Sequence, residues 1–142
     1  MVETVRRTPG ASLREIFQRA AATLPERDGR GEVVAEALGY LQDGFGAHYA
    51  GGPATDDEIL LGDYAYARAV ETIAMLDEPR FVGVASRMIR DGAGEISRGN
   101  PVSLALWIPH LAQLLDIISG EGEERSAERV RRAIGEVTRG GE

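Results

Sequence analysis

The sequence predicts an all-α bundle of about six helices. Two observations carry that expectation: every strongly patterned segment repeats its apolar residues at helical spacing, and no segment alternates as a half-buried strand does. At 142 residues the chain reads as one helical domain, residues 1–142, too short for two units that each bury a good core.

The first helix is expected to start at Ser12, with Ser12 and Glu15 as a capping box. Its apolar stripe is Leu13, Ile16, Phe17, Ala20 and Leu24, and Pro25 stops it. After the polar link PERDGRG, a second stripe reads Val33, Val34, Ala37, Leu38, Leu41 and Phe45. Gly39, Gly44 and Gly46 should weaken its end, since each internal glycine costs about 1 kcal/mol against alanine. The segment HYAGGPA is a loop, and Thr55 with Glu58 forms a second capping box that opens a helix from Asp56 to Leu76. Leu60, Asp63, Ala67, Val70 and Ala74 are read as its apolar side, while Tyr64, Arg68, Glu71 and Met75 line another face with Arg68 and Glu71 as a surface pair.

The tripeptide Asp77-Glu78-Pro79 breaks the chain and restarts it. The fourth helix has the cleanest pattern, with Phe81, Val84, Ala85, Met88, Ile89, Gly92 and Ile96, and ends near Gly99. A fifth follows Asn100-Pro101 with Leu104, Trp107, Ile108, Leu111, Leu114, Leu115 and Ile118, and Pro109 should kink it or mark a restart. The sixth, from about Glu124 to Arg139, carries Ala127, Val130, Ile134 and Val137 and is otherwise charged.

Composition removes whole classes of chemistry. All 16 basic residues are arginine, against 23 acids, for a net charge of −7. Without lysine there is no Schiff-base chemistry and no Gly-Lys-Ser/Thr phosphate loop. The absence of cysteine removes disulfides, thiolate nucleophiles and sulfur-ligated metal centres. His48 and His110 are too few for a multi-histidine site, and the acidic balance argues against nucleic acid as a partner. The uncharged stretch from Gly99 to Leu115 falls short of a membrane span and contains two prolines. The N-terminus has no apolar run of the secretory type, so a cytoplasmic protein is expected.

Asp56, Asp57 and Glu58 form the densest acidic run and the weak candidate for binding Mg²⁺, although acids in a first helical turn also answer the helix dipole. Asp63, read on the apolar side, would need a cation, hydroxyl or backbone donor if buried. Gly62, Ala65 and Ala69 make a small-residue stripe, and Gly92 offers the next helix the same close approach.

The stretch from Leu60 to Gly99 resembles the middle of the trans-isoprenyl (polyprenyl) diphosphate synthases. There a helix opening Leu-x-Gly-Asp-Tyr-Leu-x-Ala-x-Ala precedes an Asp-Pro turn and a helix ending near Gly-Glu-Ile. The matching residues are Leu60, Gly62, Asp63, Tyr64, Ala67, Ala69, Pro79, Gly94, Glu95 and Ile96. The resemblance implies a truncated isoprenoid-synthase fold in which the helices at 56–76 and 79–98 form a subunit interface, with Gly62, Asp63, Tyr64, Ala69, Phe81, Met88 and Gly92 as interface residues. It also offers Phe81, Met88 and Trp107 as walls of a product tunnel.

The departures from that family are as informative. Its enzymes hold the allylic diphosphate through Mg²⁺ on two Asp-Asp-x-x-Asp motifs, which neutralise the leaving group's developing charge. Here residues 32–42, where the first motif belongs, contain no aspartate, and Asp56-Asp57-Glu58-Ile59-Leu60 ends in leucine where a third aspartate is needed. The resemblance therefore implies no catalytic residue and no cofactor on this chain. It points to the short, noncatalytic subunit, component I type, of a heterodimeric long-chain synthase, whose full-length partner brings the Mg²⁺. A stand-alone homodimeric binding or scaffold protein of the same fold is the alternative, and a minimal Mg²⁺-dependent terpenoid enzyme using Asp56, Asp57 and Glu58 is the third.

Overall fold

A computed structural model of the chain describes residues 11–48 and 55–140, and shows six α-helices and no strand among them. They are α1 (Leu13–Ala22), α2 (Arg30–His48), α3 (Asp56–Ala74), α4 (Pro79–Ser97), α5 (Leu104–Ser119) and α6 (Glu123–Gly140). The loop read at HYAGGPA lies, apart from its first residue, outside the described residues.

Helix ends follow local chemistry. Ser12 Oγ accepts from the Glu15 N–H, but the Glu15 carboxylate turns to Arg19 at 3.4 Å, so the expected first capping box shows one of its two bonds. Thr55 and Glu58 make both: the Glu58 N–H donates to Thr55 Oγ1 at 3.1 Å, and the Thr55 N–H donates to Glu58 Oε1 at 2.9 Å. Helix α4 closes with a Schellman turn in which Gly99 takes φ +78° and the Asn100 N–H reaches the Glu95 carbonyl at 2.9 Å. Pro109 neither ends nor restarts α5, which runs unbroken past it. The proline and Ala105, whose carbonyl loses its intrahelical donor, are both exposed, so water can serve that oxygen.

Helix α2 is the hub, touching α1, α3, α4 and α5. The other helices pass around it, α3 against α4, α4 against α5, α5 against α6 and α6 back against α1. One continuous core results, with Phe17, Phe81, Met88, Leu38, Leu41, Ile73, Leu114 and Leu115 shut off from solvent. Side chains pin the ends. Gln42 on α2 accepts from the Leu13 N–H at 2.8 Å and donates to the Ala11 carbonyl at 3.2 Å, satisfying the entry of α1. Arg30 reaches the Ile118 carbonyl at the C-terminal end of α5, where a cation suits the helix dipole. Arg129 holds Glu121 through two 2.8 Å bonds and donates to the carbonyl and hydroxyl of Thr23, joining α6 to the end of α1.

Among the described residues, helix α3 packs on α2 and α4 alone. Its inner face is Gly62, Ala65, Tyr66, Ala69, Thr72 and Ile73. This corrects the sequence reading of its apolar side: Leu60, Asp63, Ala67 and Ala74 face outward and Val70 is half-buried. The reason is steric. The small residues let α3 lie close against α2, where Tyr66 rests on Gly44 so tightly that a Cβ at Gly44 would collide with the ring. Close approach of two backbones set the small residues inward beside Tyr66 and Ile73, and left Leu60, Leu61, Tyr64 and Met75 outside.

Candidate functional site

A rim of large apolar side chains on α3 is the feature that burial does not explain. Among the described residues the exposed large hydrophobics are Ile59, Leu60, Leu61, Tyr64 and Met75, all on this helix or its C-cap. Leu60 is 66% exposed, Tyr64 63% and Met75 72%. Leu60, Tyr64 and Met75 fall on the side away from the small-residue face, as the 3.6-residue period requires, and Leu61 lies at that face's edge. A few scattered exposed apolar residues need no explanation, but Ile59, Leu60, Leu61 and Tyr64 crowd within two turns of one helix, with Met75 beyond Arg68 and Glu71, and such groupings mark binding surfaces.

The patch has a defined polar frame. Asp56 and Asp57 stand exposed in the first turn, and Glu71 sits a helical turn from Met75. Arg68 leans back toward α2: its Nη2 donates to the Tyr40 hydroxyl at 3.1 Å, its guanidinium lies 5.1 Å over the Tyr40 ring, and Glu71 is 4.0 Å away. The hydrogen bond to Tyr40, then that ring's and Tyr64's electrostatic influence, holds Arg68 more firmly charged than usual. The surface pair expected between Arg68 and Glu71 is thus a long contact beside a better one. Burial, and secondarily the charge of Asp63, pushes the Tyr66 hydroxyl up to about 12, so it stays protonated.

The interface residues named from the resemblance divide into two groups. Asp63 and Tyr64 are exposed on α3. Gly62, Ala69, Phe81, Met88 and Gly92 are buried inside this chain, and the ring of Phe45 from α2 occupies the space beside Gly92. Leu61 was not singled out by the sequence reading, and Leu60 was placed inward; a helix apolar on both sides was the signal available.

Of the three tunnel-wall candidates, Phe81 and Met88 are fully enclosed in the core. Trp107 is 3% exposed and borders an apolar cleft of about 480 Å³ with Leu13, Phe45, Val102 and Leu104. Phe45 stacks on Trp107 at 4.9 Å and meets Tyr66 at 5.5 Å.

Among the described residues, the acids and His110 do not gather into one cluster. Asp56 and Asp57 point to solvent while Glu58 is engaged in its cap, and no group of three or more His, Asp or Glu among the described residues could hold a metal ion. The residues do not fit a diphosphate-bound Mg²⁺. His110, buried beside Trp107, has Nε2 2.8 Å from Asp91 Oδ2 and Nδ1 3.1 Å from the Leu106 carbonyl, which can only accept. With both ring nitrogens engaged, the ring braces α5 against α4. His110, then Arg90, holds the Asp91 carboxyl below its usual range.

No protein-family model matches the chain, and neither does any curated protein or solved structure. The described residues form an all-helical bundle in which one outer helix, α3, exposes a group of large apolar side chains. No helix among the described residues is long and apolar enough to cross a membrane.

Proposed function

We propose that this chain is a noncatalytic small subunit of a heterodimeric polyprenyl diphosphate synthase, docking through α3 on a full-length catalytic partner and helping to shape the product tunnel. The observation that carries this reading is the outer face of α3. Exposed leucines, a tyrosine and a methionine lie on the helix that bears the Leu-x-Gly-Asp-Tyr segment, where the resemblance puts a subunit interface. The chain's own acids support an accessory role, since Asp56, Asp57 and Glu58 do not converge. Both aspartate motifs and Mg²⁺ then belong to the partner, and the work proceeds in the cytoplasm.

Coexpression with a full-length polyprenyl diphosphate synthase tests this. A complex that copurifies and changes activity or product length is expected; no complex and no change would refute it. A stable self-dimer with no affinity for the synthase, read by light scattering, would favour the homodimeric scaffold instead.

A further inference from the structure

We propose that the outer face of α3 receives an amphipathic helix of a different protein, whose apolar stripe is flanked by Arg or Lys. The need for a partner rests on the heterodimer reading; the chemistry of that partner rests on the surface itself.

Shape sets the kind of element. Leu60 and Tyr64 and, past Arg68 and Glu71, Met75 mark a stripe that spans about 22 Å along the helix, some four turns. All of α3's mid-helix N–H and C=O groups are paired within it, so it offers no sheet edge, and what it can accept is side-chain packing along a stripe.

Charge sets the sign of the partner. Asp56 and Asp57 stand at one end of the stripe and Glu71 stands between Tyr64 and Met75. The single cation in residues 55–76, Arg68, is turned to Tyr40. An incoming helix therefore meets apolar groups framed by carboxylates, and basic flanking residues complement them.

The same frame disfavours a second copy. An antiparallel pair centred on Tyr64 sets Asp57 opposite Glu71 of the other copy. Sliding it until Leu60 meets Met75 sets Asp57 opposite Glu78. Two registers bring an acid to Arg68, and each leaves part of the stripe bare: Asp57 on Arg68 leaves Met75 uncovered, while Glu71 on Arg68, which sets Tyr64 on Met75, puts Leu60 beyond the end of the other copy's α3. A parallel pair sets each acid against itself, and each copy carries a net −7.

Two synthetic helical peptides with the same leucine stripe, one flanked by Arg and one by Glu, would be titrated into the full chain by fluorescence anisotropy. The Arg-flanked peptide should bind about tenfold or more tightly than the Glu-flanked one, and less tightly as salt rises. The double variant Leu60→Gln/Tyr64→Gln should lose that binding about tenfold while keeping its helical circular dichroism and its melting temperature. Asp57→Asn with Glu71→Gln should weaken binding and flatten the salt dependence. Equal binding of the two peptides, no binding, or binding that survives Leu60→Gln/Tyr64→Gln overturns the proposal, as does a dimer by sedimentation that this double variant dissolves. If the Arg-flanked peptide binds as described and no synthase copurifies, the surface stands and the synthase reading falls.

Discussion

Gly44 sits inside α2, where propensity alone favours alanine by about 1 kcal/mol. The Tyr66 ring occupies the space its Cβ would need. Gly44→Ala should therefore destabilise the protein by about 1–3 kcal/mol, because either the ring or α3 must shift. Gly83, within α4, is the contrast: its added methyl would meet only the flexible end of Arg87 at 3.7 Å, so Gly83→Ala should be neutral or stabilising by up to about 1 kcal/mol. Urea unfolding followed by the emission of Trp107 separates the two; equal effects would show that the Tyr66 contact is unimportant. The sequence marks Gly44 as a helix weakness, but that a neighbour's ring needs the space beside it is a tertiary fact. Asp63 makes the same point, since its spacing from Leu60 and Ala67 put it inward and the packing of Gly62 and Ala69 turned it outward.

At the level of elements, sequence was most informative where the signal is local. The Thr55–Glu58 capping box was legible because both bonds depend on residues three apart and on nothing else. Thr55→Ala should cost about 1 kcal/mol, and the loss should concentrate in α3 as faster amide exchange of its first turn. Uniform acceleration across the bundle would argue instead that α3 unfolds only with the whole. This cap bears on function, since it fixes the end of the helix that presents Leu60, Leu61 and Tyr64. Helix α4 was read well for another reason: its apolar residues lie on one face, and Phe81, Val84, Ala85 and Met88 are buried as the pattern required. Helix α3 misled because apolar residues lie on both of its sides, and periodicity cannot say which side meets the core.

Across the whole molecule, several carboxyls are held below their ordinary range by native partners: Asp91 by His110, Glu121 by Arg129, Glu78 by Arg80, and Glu95 by Asn100 and then Arg98. A depressed native value means the unfolded chain binds the proton more readily. The stability these contacts provide is therefore complete above the unfolded carboxylate range, about pH 4, and is lost as pH falls through the native values. The urea midpoint should hold between pH 7 and pH 5 as far as these groups are concerned, and fall below about pH 4. Asp91→Asn should lower it at neutral pH and make the acid decline shallower; an unchanged slope would remove Asp91 from the account.

The sequence by itself determined the class of fold, the number of helices and most of their ends, because helical period, caps and Pro or Gly breaks act over a few residues. It also determined what chemistry is missing, since a chain without lysine or cysteine cannot acquire them by folding. Only the tertiary structure decided which faces meet. Tyr66 over Gly44, Phe45 beside Gly92 and stacked on Trp107, and His110 braced on Asp91 all join residues far apart in the chain. Those close contacts turned Gly62, Ala65, Tyr66, Ala69 and Ile73 of α3 inward and left Leu60, Leu61, Tyr64 and Met75 facing solvent. Burial is a property of the assembled bundle, so the surface now offered as the docking face became visible only once the helices had been packed.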